Sequence, residues 1–215
     1  MLPIRDFRPT RIFPTIMYGI IVVNIAVFVL ELYLDSVGYL EWFYENFAVI
    51  PYLIVRGENL YTLLTSMFMH GGVAHILFNM LYLHIFGNNV EDSMGHIRFI
   101  VFYVVCGLIA SFAQIFIDPS SQIPNLGASG AIAGVLGAYL VMYPRERIDA
   151  LLGYMYVKVP AVLVLLSWFV LQLFSGFLSL GDVSSGGVAF FAHIGGFVAG
   201  AILVFVFRKR RREQW

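Results

Sequence analysis

Four side chains could do chemistry together in this chain. Ser129 sits in Gly127-Ala128-Ser129-Gly130-Ala131, where a short polar loop gives way to an apolar run. His193 lies in the last apolar run, and His75 and Asn79 are four residues apart in an earlier one. A serine hydroxyl is a poor nucleophile until a base takes its proton, and His193 is a base of the right type. An acyl-transfer intermediate also needs donors for its oxyanion. The backbone N–H of Ser129, at a helix N-terminus, is one. His75 and Asn79, on one helix face, offer two more. A soluble triad would add a carboxylate. No Asp or Glu falls beside these residues in their own runs, so the arrangement permits a Ser–His dyad. Taken alone, a serine among glycines serves helix packing.

Other chemistries fail on specifics. A zinc protease needs His-Glu-x-x-His, and His75-Ile-Leu-Phe-Asn79 has no glutamate. Asp182 stands alone in a loop, so a pair of buried aspartates is not available. The Gly-x-Ser-x-Gly elbow is not matched, because Ala131 holds the last position. His70 is expected to brace an outer loop by hydrogen bonds, and His84 to be structural or interfacial.

The elements that must position these residues are membrane helices. The chain is 60% hydrophobic and 12% charged, with 20 Phe and 12 Tyr, which excludes a soluble domain. Apolar runs near the length that crosses a hydrocarbon core of roughly 30 Å recur. They predict a single domain over residues 1–215 with six spans, at about 12–34, 67–87, 98–117, 127–143, 159–180 and 188–207. The first run is too long for a signal peptide and lacks a small-residue cleavage site. The aromatic stretch from Asp35 to Thr65 reads as an amphipathic loop in the membrane interface. Cys106 is the single cysteine, so no disulfide framework and no cysteine metal site are expected.

Charge segregation supports the count. With both termini inside, Arg5, Arg8, Arg11, Arg98, Arg145, Arg147, Lys158 and the tail Arg208-Lys209-Arg210-Arg211-Arg212 are inner, and Arg56 alone is outer. The tail reads as a membrane anchor and not as a nucleic-acid site. Spans two, four and six all run from outside to inside. Ser129 and His193 each lie fourteen residues before the inner end of their span, and His75 lies fourteen before Asn89, just past its own, roughly 21 Å at about 1.5 Å per residue. Polar groups at one depth in three helices are costly and usually functional. Span four is short, so a water-filled recess is expected above Ser129. His193, Gly196 and Gly200 share one face of span six, and Ser129, Ala133 and Gly137 one face of span four. Gly127, Gly130, Gly196 and Gly200 are the expected packing glycines near the site.

At these residues the sequence resembles the rhomboid family of intramembrane serine proteases, in its minimal six-helix form and over essentially the whole chain. The resemblance rests on His70-x4-His75-x3-Asn79, Gly127-Ala128-Ser129-Gly130 and Ala192-His193-x2-Gly196-x3-Gly200, in that order on the second, fourth and sixth spans. It implies an all-α bundle that hydrolyses peptide bonds at small residues in transmembrane segments of other proteins. Ser129 would be nucleophile, His193 base and acid, and His75 and Asn79 oxyanion donors. Span five and the loop after it, with Phe190 and Phe191, would gate substrate entry. Partners would be transmembrane substrates and the lipid bilayer, with no cofactor, metal or nucleic acid. The absence of targeting segments points to a prokaryotic plasma membrane. Two positions depart from the family pattern. Trp42 is followed by Phe43 where an arginine is common, and Ala133 stands where many members place an aromatic against the catalytic histidine. The competing class is a non-proteolytic chaperone-like binder of transmembrane helices, or a small transporter.

Overall fold

Glycine and proline punctuate the chain into helices joined by short turns. A computed structural model describes residues 2–179 and 189–209. The turn expected at 181–187 and the tail residues Arg210, Arg211 and Arg212 lie outside the described residues. The elements run β1 (Leu2–Asp6), α1 (Thr15–Ser36), α2 (Leu40–Phe47), α3 (Pro51–Ile54), α4 (Thr62–Thr65), a 3₁₀ turn (Ser66–Phe68), α5 (Val73–Met94), α6 (His96–Ile117), α7 (Ser129–Met142), β2 (Arg147–Leu152), β3 (Met155–Pro160), α8 (Ala161–Ser179) and α9 (Phe190–Phe207). Among the described residues α1, α6, α8 and α9 are long and apolar enough to cross a membrane, and α7 is a shorter apolar helix. The molecule is a helical membrane bundle.

Several boundaries differ from the sequence expectation, each for a local reason. Helix α5 begins at Val73, after a 3₁₀ turn and Gly72, whose φ is 155°. It continues past Gly87 to Met94, because its last polar residues have partners there. Glu91 accepts the backbone N–H groups of Ile16 and Met17, at 3.0 and 2.7 Å. Those groups belong to the unpaired first turn of α1, whose own N-cap, Pro14, offers no side-chain acceptor. Gly95, at φ 78°, ends α5 and starts α6. Helix α7 starts only at Ser129, because Gly127 has φ 132°, a backbone outside the helical region. It stops before Pro144, as the residue preceding a proline is driven out of the helical region.

The two segments read as inner tail and loop form a small sheet instead. Strands β1, β2 and β3 are antiparallel neighbours in that order, with Asp6 opposite Ile148 and Asp149 opposite Lys158. The sheet brings Asp6 to the C-terminal ends of two helices. Its carboxylate accepts hydrogen bonds from the Asn89 amide of α5 and, at 3.2 Å, from the Tyr139 hydroxyl of α7. The stretch expected in the membrane interface folds as α2, α3 and α4, with Tyr39, Trp42 and Tyr61 exposed.

Helix α7 is the centre of the bundle, with every residue from Gly130 to Tyr139 buried. Its seam with α9 is backbone on backbone. A Cβ added at Gly196 would lie 2.0 Å from the Gly130 carbonyl oxygen, one at Gly200 1.9 Å from that of Gly134, and one at Gly137 2.1 Å from that of Phe197. Small residues are what permit such an approach between apolar helices. The outward faces of α1 and α8 expose Val22, Val29, Leu171 and Phe174, as lipid-facing helices do.

Two stability outcomes follow from this packing. Gly200→Ala places a methyl against a backbone carbonyl that cannot swing aside. A cost at or above the upper end of the usual overpacking range of about 1–3 kcal/mol is expected. Gly19→Ala, with open space around its Cβ, should leave the thermal midpoint unchanged or raised. Equal midpoints for both variants in detergent would contradict the seam. For Asp6, burial pushes the carboxyl up from 3.8 to about 6, against the lowering effect of the Tyr139 hydrogen bond. The folded state therefore holds the extra proton between those values, and stability falls as pH rises from about 4 to about 6. Asp6→Asn keeps the acceptor oxygen and should flatten that slope and raise the midpoint at neutral pH.

Candidate active site

The approach to Ser129 is built by backbone pairing. Val49 and Asn125 exchange hydrogen bonds of 2.9 and 2.7 Å, and the Gly127 N–H donates to the Ser66 carbonyl at 2.9 Å. These bonds deliver the chain to Ala128, which caps α7 without any side-chain hydrogen bond. The first amides of α7, that of Ser129 among them, therefore have no side chain competing for them, and the helix dipole is positive there. Ser129 is partly exposed, whereas Gly130 beneath it is buried.

The α7–α9 seam puts His193 beside this serine. His193 Nε2 lies 2.7 Å from Ser129 Oγ. Its other nitrogen, Nδ1, lies 2.9 Å from Gln172 Oε1 on α8. An amide oxygen only accepts, so the proton of the neutral ring sits on Nδ1. Nε2 is then bare and accepts the Ser129 hydroxyl proton. One turn before Gln172 on the same helix, the Trp168 ring packs over His193 at 5.8 Å between centroids and 39° between planes. Together these two side chains of α8 hold the imidazole that Ala133 does not touch with an aromatic ring.

His75 approaches from α5. Its Nδ1 accepts the Gly71 N–H at 3.3 Å, which places the ring proton on Nε2. That edge faces Gly127, where an added Cβ would lie 2.9 Å from His75 Nε2 and 3.4 Å from Ser129 Oγ. Gly127 thus serves both the turn and the close passage of the imidazole. Asn79, one turn along α5, is buried, and its Nδ2 has no hydrogen-bond partner among the described residues. A buried donor left unpaired costs free energy. A cavity of about 40 Å³ adjoins Ser129, bordered by Ser66, Ser111, Gln114 and Asn125.

Several sequence expectations change in detail. His70 does brace the outer segment, but through its backbone. Its N–H donates to both Glu31 oxygens, at 3.0 and 3.1 Å, and its carbonyl accepts the Tyr44 hydroxyl at 3.3 Å. The His70 ring itself packs edge-on against His75, 5.1 Å between centroids. His84 is exposed on α5 with its ring 5.9 Å from that of Tyr18. Phe190 and Phe191 form the first turn of α9, not a loop, and lie against Gly176 of α8. The sequence does not point to Gln172 and Trp168 as partners of His193, because neither is the carboxylate that a triad would use. One signal was available: Gln172 is the only amide in the apolar run from 161 to 180.

Comparison with known proteins agrees with the motifs. The rhomboid domain model matches residues 57–210. RHOMBOID-like protein 5 of Arabidopsis thaliana is 36% identical over 154 residues, 72% of this chain and 46% of that protein. Rhomboid protease GluP of Bacillus subtilis is 41% identical over 95 residues, 44% of this chain and 18% of that protein. YdcA of the same bacterium is 30% identical over 161 residues, 74% of this chain and 73% of YdcA. The chain spans about half the length of the plant relatives it matches. With a family match over most of its length and a helical membrane bundle as its fold, the chain is an integral multi-pass membrane protein and belongs to the rhomboid family.

Proposed function

We propose that this chain is an intramembrane serine protease, cleaving transmembrane segments of other membrane proteins with a Ser129–His193 dyad. The observation that carries the reading is the 2.7 Å contact between Ser129 Oγ and His193 Nε2, with Nδ1 held by Gln172. A packing serine needs no such base. A non-catalytic helix binder or transporter would not need a histidine fixed in the one tautomer that can accept a serine proton.

In the proposed cycle Ser129 Oγ attacks the scissile carbonyl carbon while its proton passes to His193 Nε2. The oxyanion is taken up by the Ser129 N–H, the His75 Nε2–H and the Asn79 amide, whose unpaired state fits a donor awaiting an acceptor. His193 then gives the proton to the leaving amine as the C–N bond breaks. Water attacks the acyl-enzyme by the same route in reverse, returning a proton to Ser129. Water must therefore reach the site. Helix α7 has 14 residues, roughly 21 Å at about 1.5 Å per residue, in a core of roughly 30 Å. Ser129 would stand below the outer surface in a recess open to water. The 40 Å³ cavity beside it suits a small substrate side chain. Six spans with both termini cytoplasmic, as the segregated basic residues require, complete the proposal. Relatives occur in a plant and in a bacterium, and a prokaryotic plasma membrane stays part of it.

A fluorophosphonate probe should label the wild-type protein and not Ser129→Ala, and His193→Ala should lose both labelling and cleavage of a transmembrane substrate. Asn79→Ala should lower kcat by about 10²–10³ while labelling persists in part. Labelling of Ser129→Ala would overturn the dyad.

Gln172 is expected to act as a positioning residue for His193. Gln172→Leu fills similar space without an acceptor and should lower kcat by about 10²-fold, the loss that a displacement near 1 Å can cause. KM should change little. Gln172→Glu keeps an acceptor oxygen and should recover most of the rate. A role in packing alone predicts the reverse order, with Leu tolerated and Glu disruptive.

A further inference from the structure

The end of the bundle opposite the dyad holds an open cavity of about 1230 Å³. Four chain segments that are distant in sequence surround it: the stretch before α1, the end of α5, the exit of α7 and the exit of α9. They bring five cations, Arg8, Arg11, Arg145, Arg208 and Lys209, to one concave surface. Only two carboxylates line it, and both are engaged. Glu146 Oε1 accepts Arg8 Nη1 at 2.6 Å. Asp92 Oδ1 accepts the backbone N–H groups of Arg11 and Ile12 at 2.8 and 3.0 Å. Among the described residues none of the other four cations has a carboxylate partner.

Parts of this surface are fixed in place. The Arg8 guanidinium stacks over the Tyr143 ring at 4.1 Å, and the Lys209 N–H donates to the Ser93 carbonyl at 3.0 Å. Five cations lining one cavity make its potential positive and favour an anion within it. The remaining wall decides which anion. Val141, Met142 and Tyr143, at the inner end of α7, line the same cavity. A soluble phosphate would have no use for an apolar wall where the membrane helices end. A phospholipid has its phosphate at that level, with its glycerol and chains continuing along the apolar helices.

We infer that this cavity binds the headgroup of an anionic phospholipid, with Arg11, Arg145, Arg208 and Lys209 around the phosphate. Bound there, the lipid joins the N-terminal segment to the exits of α7 and α9, the two helices that carry Ser129 and His193. It then stabilises the folded bundle by linkage. The inference is independent of the proteolytic reading, since none of these residues belongs to the proposed site.

The test uses the full chain in nanodiscs of phosphatidylcholine with increasing phosphatidylglycerol. Retained lipid is counted by native mass spectrometry, and the thermal midpoint is followed. The wild type should retain phosphatidylglycerol in preference to phosphatidylcholine, with a midpoint that rises and saturates. The double variant Arg11→Gln, Arg145→Gln removes two cations, each worth about fivefold near an anionic surface. Retention should weaken about 25-fold and the midpoint shift should vanish. Arg98→Gln with Arg147→Gln removes the same charge from exposed positions that do not line the cavity, and it should behave as wild type. Equal loss in both double variants would reduce the effect to diffuse attraction and overturn the site. So would a wild type without preference for phosphatidylglycerol, a measurement that needs no variant to fold. Reproduction of the midpoint shift by millimolar inorganic phosphate in phosphatidylcholine alone would overturn the lipid assignment.

Discussion

The backbone contact between α7 and α9 is the constraint on which the rest depends. A Cβ at Gly196 or Gly200 would fall 2.0 or 1.9 Å from a carbonyl oxygen on α7, far inside van der Waals contact. The two helices therefore meet as bare backbones, with no side chain to set a wider spacing. That separation lets an imidazole on one helix reach a hydroxyl on the other within hydrogen-bond range. Glycine has a cost in a helix, since it frees the unfolded chain and contributes no packing of its own. The chain accepts it at Gly130, Gly134, Gly137, Gly196 and Gly200 because close approach is worth more in a medium where lipid competes equally for apolar side chains.

Around this seam the bundle is tied by polar latches at both ends. At the end that carries the candidate site Glu31, buried on α1, accepts the His70 N–H and anchors the turn that leads to His75. The Gly127 N–H to Ser66 bond ties the same turn to the start of α7. At the opposite end Glu91 and Asp92 of α5 hold the start of α1, and Asp6 bridges α5 and α7. Glu31 and Glu91 are buried, and each finds its partners in these latches, as apolar surroundings demand. Each also joins elements that would otherwise slide, since apolar contacts alone do not set a register.

Helix α8 has a different role. Its outward residues Val170, Leu171, Phe174 and Phe177 are exposed, and it meets the bundle along α9. Yet it supplies the two side chains that hold His193. On the proposed reading, the helix beside the substrate's path also keeps the base in its productive tautomer. The state of the base then depends on where α8 rests, because an imidazole without a partner on Nδ1 is free to place its proton on either nitrogen.

What the sequence determined by itself was the solvent and the cast. Apolar runs of membrane length and segregated charge gave a helical membrane protein. Ser129, His193, His75 and Asn79 were legible because polar side chains are rare in such runs. The small-residue spacing at Gly196 and Gly200 already pointed to a helix contact. The tertiary structure alone decided the rest. Periodicity cannot show that Glu91 and Asp92 extend α5 by capping another helix, nor that residues 2–6 pair with 147–152, because those partners are about 75 to 150 residues away. A glutamine in an apolar run is visible, but its target is not. Gln172 becomes a partner of His193 only when α8 packs on α9, a choice made by helix-face complementarity in three dimensions and by no local propensity.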